Sequence, residues 1–249
     1  MKRETLDIGL WQGLQVLSPH SDDAGFSCAG LLAHVARQQM PCLIQTIFSR
    51  SNYDPSDPQA DADVVTALRM REDDTFVTWL GGGCQVSWEG FEEAYMRKAG
   101  FAEILSGQYD DGDQALMPPL LQAVMAKMAD RVILLAPVGI GNHVDHLLVR
   151  DAALALSRHT GVELYLYEDL PYAARLLPNE VADYLAPMGN ALGFRPCPYV
   201  FSTPDIQAAK QAGAACYPSQ MQGDTGALIE KQTAEIGGEA YWRIEWQAA

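Results

Sequence analysis

The sequence predicts an α/β fold in which a mostly parallel central sheet lies between helices, and three stretches of the chain carry this prediction. Short apolar runs at Leu14–Leu17 and Val132–Ala136 are typical of buried strands. Each run leads into a polar loop and then into apolar residues spaced i, i+3, i+4 and i+7, the pattern of a helix packed on a core. A third apolar run, Cys42–Phe48, follows the first helix. Strand, helix and strand in succession indicate parallel strand pairing.

Composition limits both the domain count and the class of partner. The chain has 249 residues, of which 48% are hydrophobic and 20% charged, ordinary values for a globular protein with one sizeable core. No internal repeat, low-complexity tract or linker interrupts it, so we expect a single domain over residues 1–249. The net charge of −15 argues against nucleic acid and against anionic membranes as partners, since both need a basic surface.

The cysteines and the amino terminus bear on the compartment. The five cysteines are scattered and form no CxxC pair, so we expect reduced thiols and no thiolate zinc site: Cys28, Cys42, Cys84, Cys197 and Cys216. The start of the chain is too poor in apolar residues for a signal peptide, and no run is long enough to span a bilayer. The sequence therefore predicts a cytoplasmic protein.

Polar loops, glycines and prolines divide the first half of the chain into segments. Residues 1–13 form a polar lead-in, and Ser49–Asp63 is a polar surface loop after a strand. Val64–Leu80 has helical character and ends at three glycines. Gln85–Trp88 is a candidate short strand. Pro118-Pro119 predicts the first turn of a helix that runs through Met128.

Two groups of charged residues in the chain have simple structural interpretations that involve no function. The charges of the helix before the three glycines are expected on its wet face: Arg69, Arg71, Glu72, Asp73 and Asp74. Glu168-Asp169, at the end of the predicted strand Val162–Tyr167, is again a carboxylate pair at a strand end, and its simplest structural interpretation is a solvated turn. Three further elements follow in the second half: a strand at Tyr199–Phe201, a helix at Asp205–Cys216 and an edge strand at Glu239–Trp246.

Histidines and carboxylates gather in the loops after two of the predicted strands. His20, Asp22 and Asp23 follow the first run, and His143, Asp145 and His146 follow the run at 132–136. Taken alone, the first loop could simply cap a helix through Ser21 or Asp22. Three of the five histidines lie in these two loops, however, and ligands of open α/β sheets bind beyond the carboxyl ends of the strands. His34 and His159 have no acidic or histidine partner at ligand spacing and are expected to be structural.

Such a set of side chains suits a hydrolytic metal site. Two histidines and one aspartate are a typical ligand set for catalytic zinc, with one position left for water. A second carboxylate can then act as general base. Of His143 and His146, one would bind the metal, and the other would donate a proton or stabilise an oxyanion.

The two loops carry a recognisable pair of motifs. Pro19-His20-Ser21-Asp22-Asp23 resembles the PHxDD motif of the PIG-L/LmbE-like zinc N-deacetylases, and His143-Val144-Asp145-His146 resembles their HxDH motif. The resemblance implies a Rossmann-like three-layer sandwich, LmbE-like, over nearly the whole chain. A metallo-β-lactamase is excluded because Gly141 stands where its HxHxDH motif has the first histidine.

Residue roles follow from the resemblance. It implies that His20, Asp23 and His146 bind zinc, that Asp22 is the general base, and that His143 is a general acid or an oxyanion stabiliser. Asp145 would orient a histidine. Arg50 and Tyr95 lie near where substrate-facing residues would be, although Arg50 could equally be a surface arginine paired with a carboxylate.

The implied activity is hydrolysis of an N-acetyl or related N-acyl group on an amino-sugar conjugate of the N-acetylglucosamine type. Zinc would polarise the amide carbonyl while Asp22 deprotonates the attacking water. Fe²⁺ or another divalent ion could replace zinc, since ligand sets of nitrogen and oxygen accept several metals. Ser21 and Ala24 depart from the commoner Pro and Glu of the family, which leaves the substrate subclass open, as is the number of subunits. The alternative is a family member that binds metal without catalysis and serves as a binding or assembly subunit.

Overall fold

A mixed sheet runs through the molecule and is almost entirely parallel. The computed structural model describes residues 2–54, 57, 59–177 and 179–247. In these residues eight strands form the sheet in the order β1-β7-β8-β6-β5-β2-β3-β4, and β8 alone runs antiparallel to its neighbours. The strands are β1 (Glu4–Thr5), β2 (Leu14–Ser18), β3 (Cys42–Thr46), β4 (Cys84–Trp88), β5 (Ile133–Pro137), β6 (Leu164–Tyr167), β7 (Phe194–Phe201) and β8 (Glu239–Trp246).

Helices cover both faces of this sheet. They are α1 (Asp23–Arg37), α2 (Ala62–Leu80), α3 (Ala94–Arg97), α4 (Phe101–Ile104), α5 (Asp111–Ala126), α6 (Val144–Thr160), α7 (Glu180–Leu192), α8 (Ile206–Ala214) and α9 (Thr225–Ile236). The β2-α1-β3 crossover moves toward one edge of the sheet and the β5-α6-β6 crossover toward the other. Since crossovers between parallel strands are as a rule right-handed, this order places α1 and α6 on opposite faces. The predicted three-layer α/β architecture is confirmed.

The strand order reverses at the centre of the sheet. β2 and β5 are parallel neighbours, with Leu14 opposite Ile133 and Val16 opposite Leu135. From β2 the chain continues to β3 on one side, and from β5 it continues to β6 on the other. The loops at the carboxyl ends of two such strands leave in opposite directions and open a crevice between them. Both predicted site loops begin here.

Two predicted elements have to be corrected. Glu239–Trp246 is a strand, but it is internal, because β8 pairs with β6 on one side and β7 on the other. The helix expected to start at Pro118-Pro119 begins at Asp111 instead, and both prolines lie inside it. Its start is set by a capping box, in which Asp110 and Asp113 each accept the backbone N–H of the other.

Some elements of the structure were not predicted from the sequence, and part of one predicted loop lies outside the described residues. The polar lead-in contains β1, and α7 and α9 were not predicted. Pro55, Ser56 and Pro58 of the predicted loop lie outside the described residues. None of the helices in the described part of the chain is both long and apolar enough to cross a membrane.

The charged face predicted for α2 is also wrong. Arg69, Glu72 and Asp73 are buried, while Asp74 is exposed. Glu72 accepts hydrogen bonds from the backbone N–H and hydroxyl of Ser219, at 2.8 and 2.6 Å. A run of charged residues on a helix faces solvent only when no other segment covers it. Here the chain around residue 219 packs against the helix and buries part of the run.

Candidate active site

The loop after β2 presents its carboxylates to the crevice instead of using them to cap α1. Asp22 occupies the N-cap position but makes no side-chain capping bond, so the capping interpretation is wrong for this residue. Ser18 does that work: its hydroxyl accepts the N–H of Ala24 at 3.0 Å and donates to the carbonyl of His20. The Asp23 carboxylate accepts the backbone N–H of His20 at 2.8 Å. Both aspartates therefore project from the amino end of α1.

The loop after β5 is held in a matching way. His143 is the N-cap of α6, and its Nδ1 accepts the backbone N–H of Asp145 at 3.2 Å. Gly141 has a φ of +90°, and a Cβ there would lie 3.0 Å from the ring of Tyr172. A side chain at this position would strain the turn and press on that ring. The glycine thus lets the loop bring His143 and His146 to the crevice.

Three of the predicted residues bring donor atoms to one point. The Asp23 Oδ2 atom lies 3.3 Å from His20 Nδ1 and 3.4 Å from His146 Nε2. Zinc ligands at about 2.0–2.1 Å in a tetrahedron lie roughly 3.3 Å from one another. The two distances from Asp23 to the histidine nitrogens are therefore those expected between ligands of a tetrahedral cation.

His143 belongs to the same cluster but differs in the state of its ring. The ligand atoms of His20, His143 and His146 all lie within 4.8 Å of one another. His143 Nδ1 already accepts a backbone N–H, so the neutral ring carries its proton on Nε2. A protonated nitrogen has no lone pair for a metal. His143 therefore fits a hydrogen-bond donor better than a ligand.

Each of the other two histidines has a carboxylate on its far nitrogen. His20 Nε2 lies 3.0 Å from Asp145 Oδ2, and His146 Nδ1 lies 2.7 Å from Asp169 Oδ1. Since a carboxylate only accepts, each of these nitrogens carries a proton, and in the neutral ring that a metal requires the lone pair is left on the nitrogen facing Asp23. Metal-bound histidines in proteins are typically held in this way.

Of the two carboxylates that hold these histidines, Asp145 and Asp169, only Asp145 was assigned to the site from the sequence. The interpretation of Glu168-Asp169 as a solvated turn does not hold, because both side chains are buried. The second oxygen of Asp169 accepts the backbone N–H groups of Gly139 and Ile140, at 2.9 and 3.1 Å. Asp169 thus ties the end of β6 to the loop after β5. The sequence signal for Asp169 is its position in a carboxylate pair directly after a predicted strand.

Asp22 is paired with an arginine. Arg69 Nη2 donates to Asp22 Oδ1 at 2.8 Å, and its Nη1 donates to Glu93 Oε2 at 3.1 Å. Burial raises the pKa of Asp22, and Arg69 partly offsets this. Arg69 is 3% exposed, and the helical charge run gave the wrong prediction for it. Glu93, between β4 and α3, carries no motif that could have marked it.

The site opens into a cavity of about 140 Å³. The cavity is lined by His20, Asp22, Asp23, Tyr53, Arg69, Glu93, Tyr95, Phe101, Ile104, Leu105, His143, His146, Leu170, Pro171, Tyr172 and Gln220. The predicted substrate residue Tyr95 is among them. Arg50 is not: it is half-buried and pairs with Asp63 at 3.0 Å. The volume is below the roughly 300–1,000 Å³ typical for whole small ligands, so it admits only part of a larger conjugate.

The charge balance of the site also fits a cation. Two guanidinium groups, Arg69 and Arg97, contact a set of buried carboxylates, and Arg97 pairs with Asp145. The carboxylates outnumber these cations: Asp22, Asp23, Glu93, Asp145 and Asp169. Buried unpaired negative charge is costly, and a divalent ion among the three donor atoms would reduce it.

Comparison with known proteins gives one family and several relatives. A model of the family described as "PIG-L: GlcNAc-PI de-N-acetylase" matches residues 15–157. The 2'-N-acetylparomamine deacetylase of Streptomyces fradiae is 33% identical over 213 residues, covering 82% of this chain and 72% of that protein.

Solved structures with the same fold include three of deacetylases. A deacetylase from the biosynthesis pathway of teicoplanin has a TM-score of 0.70 at 25% identity, covering 93% of this chain and 97% of its own. A second structure of a teicoplanin deacetylase is of a zinc-inhibited form, with the same TM-score, identity and coverage. The A40926 pseudoaglycone deacetylase has a TM-score of 0.70 at 23% identity, covering 96% and 99%, which is a likeness of fold.

Proposed function

Since the chain belongs to the PIG-L family of GlcNAc-PI de-N-acetylases, we propose that it is a metal-dependent hydrolase that removes an N-acetyl or related N-acyl group from an amino-sugar conjugate. One observation carries the proposal above all others. Donor atoms of His20, Asp23 and His146 converge from two remote loops at the spacing of metal ligands. These three residues would hold the ion, zinc or another divalent cation.

The ion supplies Lewis acidity: when bound, it polarises an acyl oxygen and lowers the pKa of a coordinated water. The other tasks fall to side chains of this chain. Asp145 and Asp169 fix the rings of His20 and His146, so that the nitrogens facing Asp23 carry lone pairs. The three donor atoms are thereby set in position before any ion arrives.

Asp22 is proposed as the general base. It lines the cavity and lies next to Asp23, and in the described part of the chain its side chain hydrogen-bonds to Arg69 through Oδ1, not Oδ2. Burial raises the pKa of Asp22, which makes its carboxylate a stronger base for the proton of the attacking water. It can then pass the same proton to the nitrogen of the leaving amine.

His143 is proposed as the donor to the oxyanion. Burial, together with the neighbouring His20, lowers the pKa of His143 to about 3, so the ring is neutral at ordinary pH. Its Nδ1 is occupied, and the Nε2–H is left to donate to the oxygen on which negative charge develops. Of its two expected roles, oxyanion stabiliser and general acid, the first suits a neutral ring better.

The relatives suggest the kind of conjugate. One is named for 2'-N-acetylparomamine, and another belongs to the biosynthesis pathway of teicoplanin. We propose that the acylated sugar of such a conjugate enters the cavity while the remainder stays outside it.

The test is acyl release by the zinc-loaded protein from a panel of N-acetylated amino sugars and conjugates, with acetate and free amine measured in parallel. We expect equal amounts of the two products from at least one conjugate. His146→Ala should lose both zinc and activity, while His34→Ala, which replaces a histidine remote from the site, should keep both. A zinc-loaded protein that releases no acyl group across the panel contradicts the proposal and favours a binding subunit.

A further inference from the structure

The cavity offers no free cation to a ligand. Among the described residues that line it, Arg69 is the only arginine or lysine. Its two terminal nitrogens donate to Asp22 and Glu93, and its Nε is buried. A phosphate or carboxylate in the cavity would have to take Arg69 from two carboxylates that already hold it. Anion sites in proteins are normally built from unpaired arginines, lysines or backbone N–H groups.

The cations on neighbouring segments are neutralised as well. Lys98 Nζ lies 2.7 Å from Asp110 and also contacts Asp113. Arg97 is held by Asp113 and Asp145. These residues lie two and three positions after Tyr95, which lines the cavity, yet both are already paired with carboxylates.

Aromatic rings form one wall of the cavity. The ring centroids of Tyr53 and Tyr95 are 5.0 Å apart, and Phe101 lies 5.8 Å from Tyr95 and 6.2 Å from Tyr53. The face of an aromatic ring carries partial negative charge, which attracts ammonium groups and repels anions. Such a wall suits the apolar face of a sugar and the amino groups attached to it.

Negative charge dominates the remainder of the site and the whole molecule. Glu93 lines the cavity, and its Oε1 lies 3.9 Å from His20 Nε2, beyond hydrogen-bond distance. The chain as a whole carries a net charge of −15. A field of this sign raises the local concentration of cationic ligands and lowers that of anionic ones.

We infer that the site selects amino-sugar conjugates that carry further free amino groups and rejects conjugates with a phosphate beside the acylated sugar. The inference rests on the proposed function and narrows its substrate class. It separates this chain from a phosphoinositide substrate of the kind in the family description, in which the phosphodiester is on the inositol attached to the acylated sugar. The aromatic wall Tyr53–Tyr95–Phe101 is the surface on which the amine-bearing part would lie.

The experiment compares three substrates with the same N-acetylated sugar: methyl N-acetylglucosaminide, N-acetylglucosamine 1-phosphate and 2'-N-acetylparomamine. We expect kcat/KM to be highest for the cationic conjugate and lowest for the phosphate, with a difference of at least about tenfold between these two. Added salt should lower kcat/KM for the cationic conjugate, raise it for the phosphate and leave it almost unchanged for the neutral sugar.

Charge reversal near the cavity gives a matched pair of variants. Glu103 is exposed on α4, between the cavity-lining Phe101 and Ile104. Glu103→Lys should reduce the preference for the cationic conjugate over the phosphate by about fourfold. Asp130→Lys makes the same change of charge just before β5, at the opposite end of the sheet, and should leave the preference close to that of the parent protein.

The outcomes separate the two proposals. Acetate release from the phosphate as fast as from the neutral sugar, or a preference unmoved by Glu103→Lys, overturns the inference while the hydrolase proposal stands. If no substrate releases acetate, the hydrolase proposal fails, and calorimetric affinities for the same three compounds then decide the inference. Tightest binding of the cationic conjugate supports it, and equal or tighter binding of the phosphate overturns it.

Discussion

Adjacent aspartates in the loop after β2 have opposite electrostatic environments. Burial raises the pKa of Asp22 more than Arg69 lowers it. Burial also acts on Asp23, but His146 and His20 outweigh it, and the pKa of Asp23 is lowered. The same residue type is thus placed to move a proton at one position and to stay ionised at the next. Sharing of tasks between neighbouring carboxylates depends on such a difference.

Replacement of Asp22 tests this difference. Asp22→Asn should keep zinc binding and lose turnover by about 10²–10⁴-fold, because the amide cannot take the proton of water. The measurements are zinc content and kcat. The neighbouring Asp23→Asn should behave differently and lose zinc. An Asp22→Asn enzyme with a rate near that of the parent would contradict the assignment of the base.

Asp169 is expected to act through His146. Asp169→Asn should weaken zinc affinity by about 10–100-fold, since the ring of His146 would lose the carboxylate that fixes its tautomer. Competition with a chromogenic chelator measures the affinity. Glu168→Gln is the matched control: Glu168 is also buried but contacts Arg3, Gln232 and Trp242 instead of His146. Equal affinities of the two variants would contradict the role of Asp169.

Sequence could predict the residues that carry a motif but not those that support them. The six residues assigned as metal-binding or catalytic are His20, Asp22, Asp23, His143, Asp145 and His146, and all of them meet in the crevice. Their individual roles stay predictions. Arg69 and Glu93 were missed because their partners are remote in the chain: Arg69 and Asp22 are 47 residues apart. Such a pairing exists only once α2 packs beside α1.

At the scale of elements, α1 depends on a buried ion pair in its middle. Lys210, fully buried on α8, lies 3.2 Å from Glu239 and donates to the carbonyl of Phe26. Glu239 accepts the backbone N–H groups of Gly30 and Leu31, at 2.7 and 2.8 Å. The pair therefore fastens α8 and β8 to the helix whose amino end presents Asp22 and Asp23.

Removing one member of this pair should be costly. Lys210→Met should lower the free energy of unfolding by about 3–5 kcal/mol, because Glu239 would remain as a buried charge without a partner. Urea denaturation measures the change. Lys231→Met, at an exposed position on α9, is the control and should cost little. The double variant Lys210→Met with Glu239→Gln should recover part of the loss, and a double variant less stable than the single one would contradict this account.

The α2 helix contains a carboxyl group that should make stability depend on pH. Burial raises the pKa of Asp73 from its ordinary value of 3.8 to about 7. The folded state therefore favours the protonated form. Stability is unaffected below pH 4 and falls as pH rises from about 4 to about 7, by up to about 4 kcal/mol.

The unfolding free energy at several pH values measures this slope. In Asp73→Asn the loss between pH 4 and 7 should largely disappear, because the amide does not ionise. Asp74→Asn, at the exposed neighbouring position, should keep the slope of the parent protein. Parallel slopes for all three proteins would show that Asp73 does not titrate in this range.

Elements with strong periodicity could be predicted, and those defined by pairing or packing could not. The apolar runs of β2, β3 and β5 and the helical spacing of α1 and α6 are local properties of the sequence. The place of β8 inside the sheet is not, because an alternating pattern looks alike at an edge and between two strands. The start of α5 is a local property as well, because the spacing of Asp110 and Asp113 allows them to form a capping box.

For the whole molecule, the sheet order explains why two loops more than a hundred residues apart form one site. β2 and β5 are neighbours at the point where the order reverses, so their loops open on the same crevice. That neighbourhood follows from the α/β fold class, which the sequence predicted. The expectations of a single domain over residues 1–249 and of a cytoplasmic location stay predictions.

Metal binding at this crevice should stabilise the entire fold. At a zinc concentration 100 times the Kd, linkage adds about 2.7 kcal/mol, which for a chain of this size raises Tm by about 5–10 °C over the chelator-treated protein. Asp22→Asn should show the same rise, and Asp169→Asn a smaller one at equal zinc. A Tm that does not respond to zinc or other divalent ions would contradict the proposed centre.

The most direct test of the central claim is anomalous diffraction at the zinc absorption edge from crystals of the zinc-loaded protein. We predict one strong peak within bonding distance of His20 Nδ1, Asp23 Oδ2 and His146 Nε2, with His143 not bonded to the metal. A peak elsewhere, or one in which His143 replaces a member of this trio, would contradict the account.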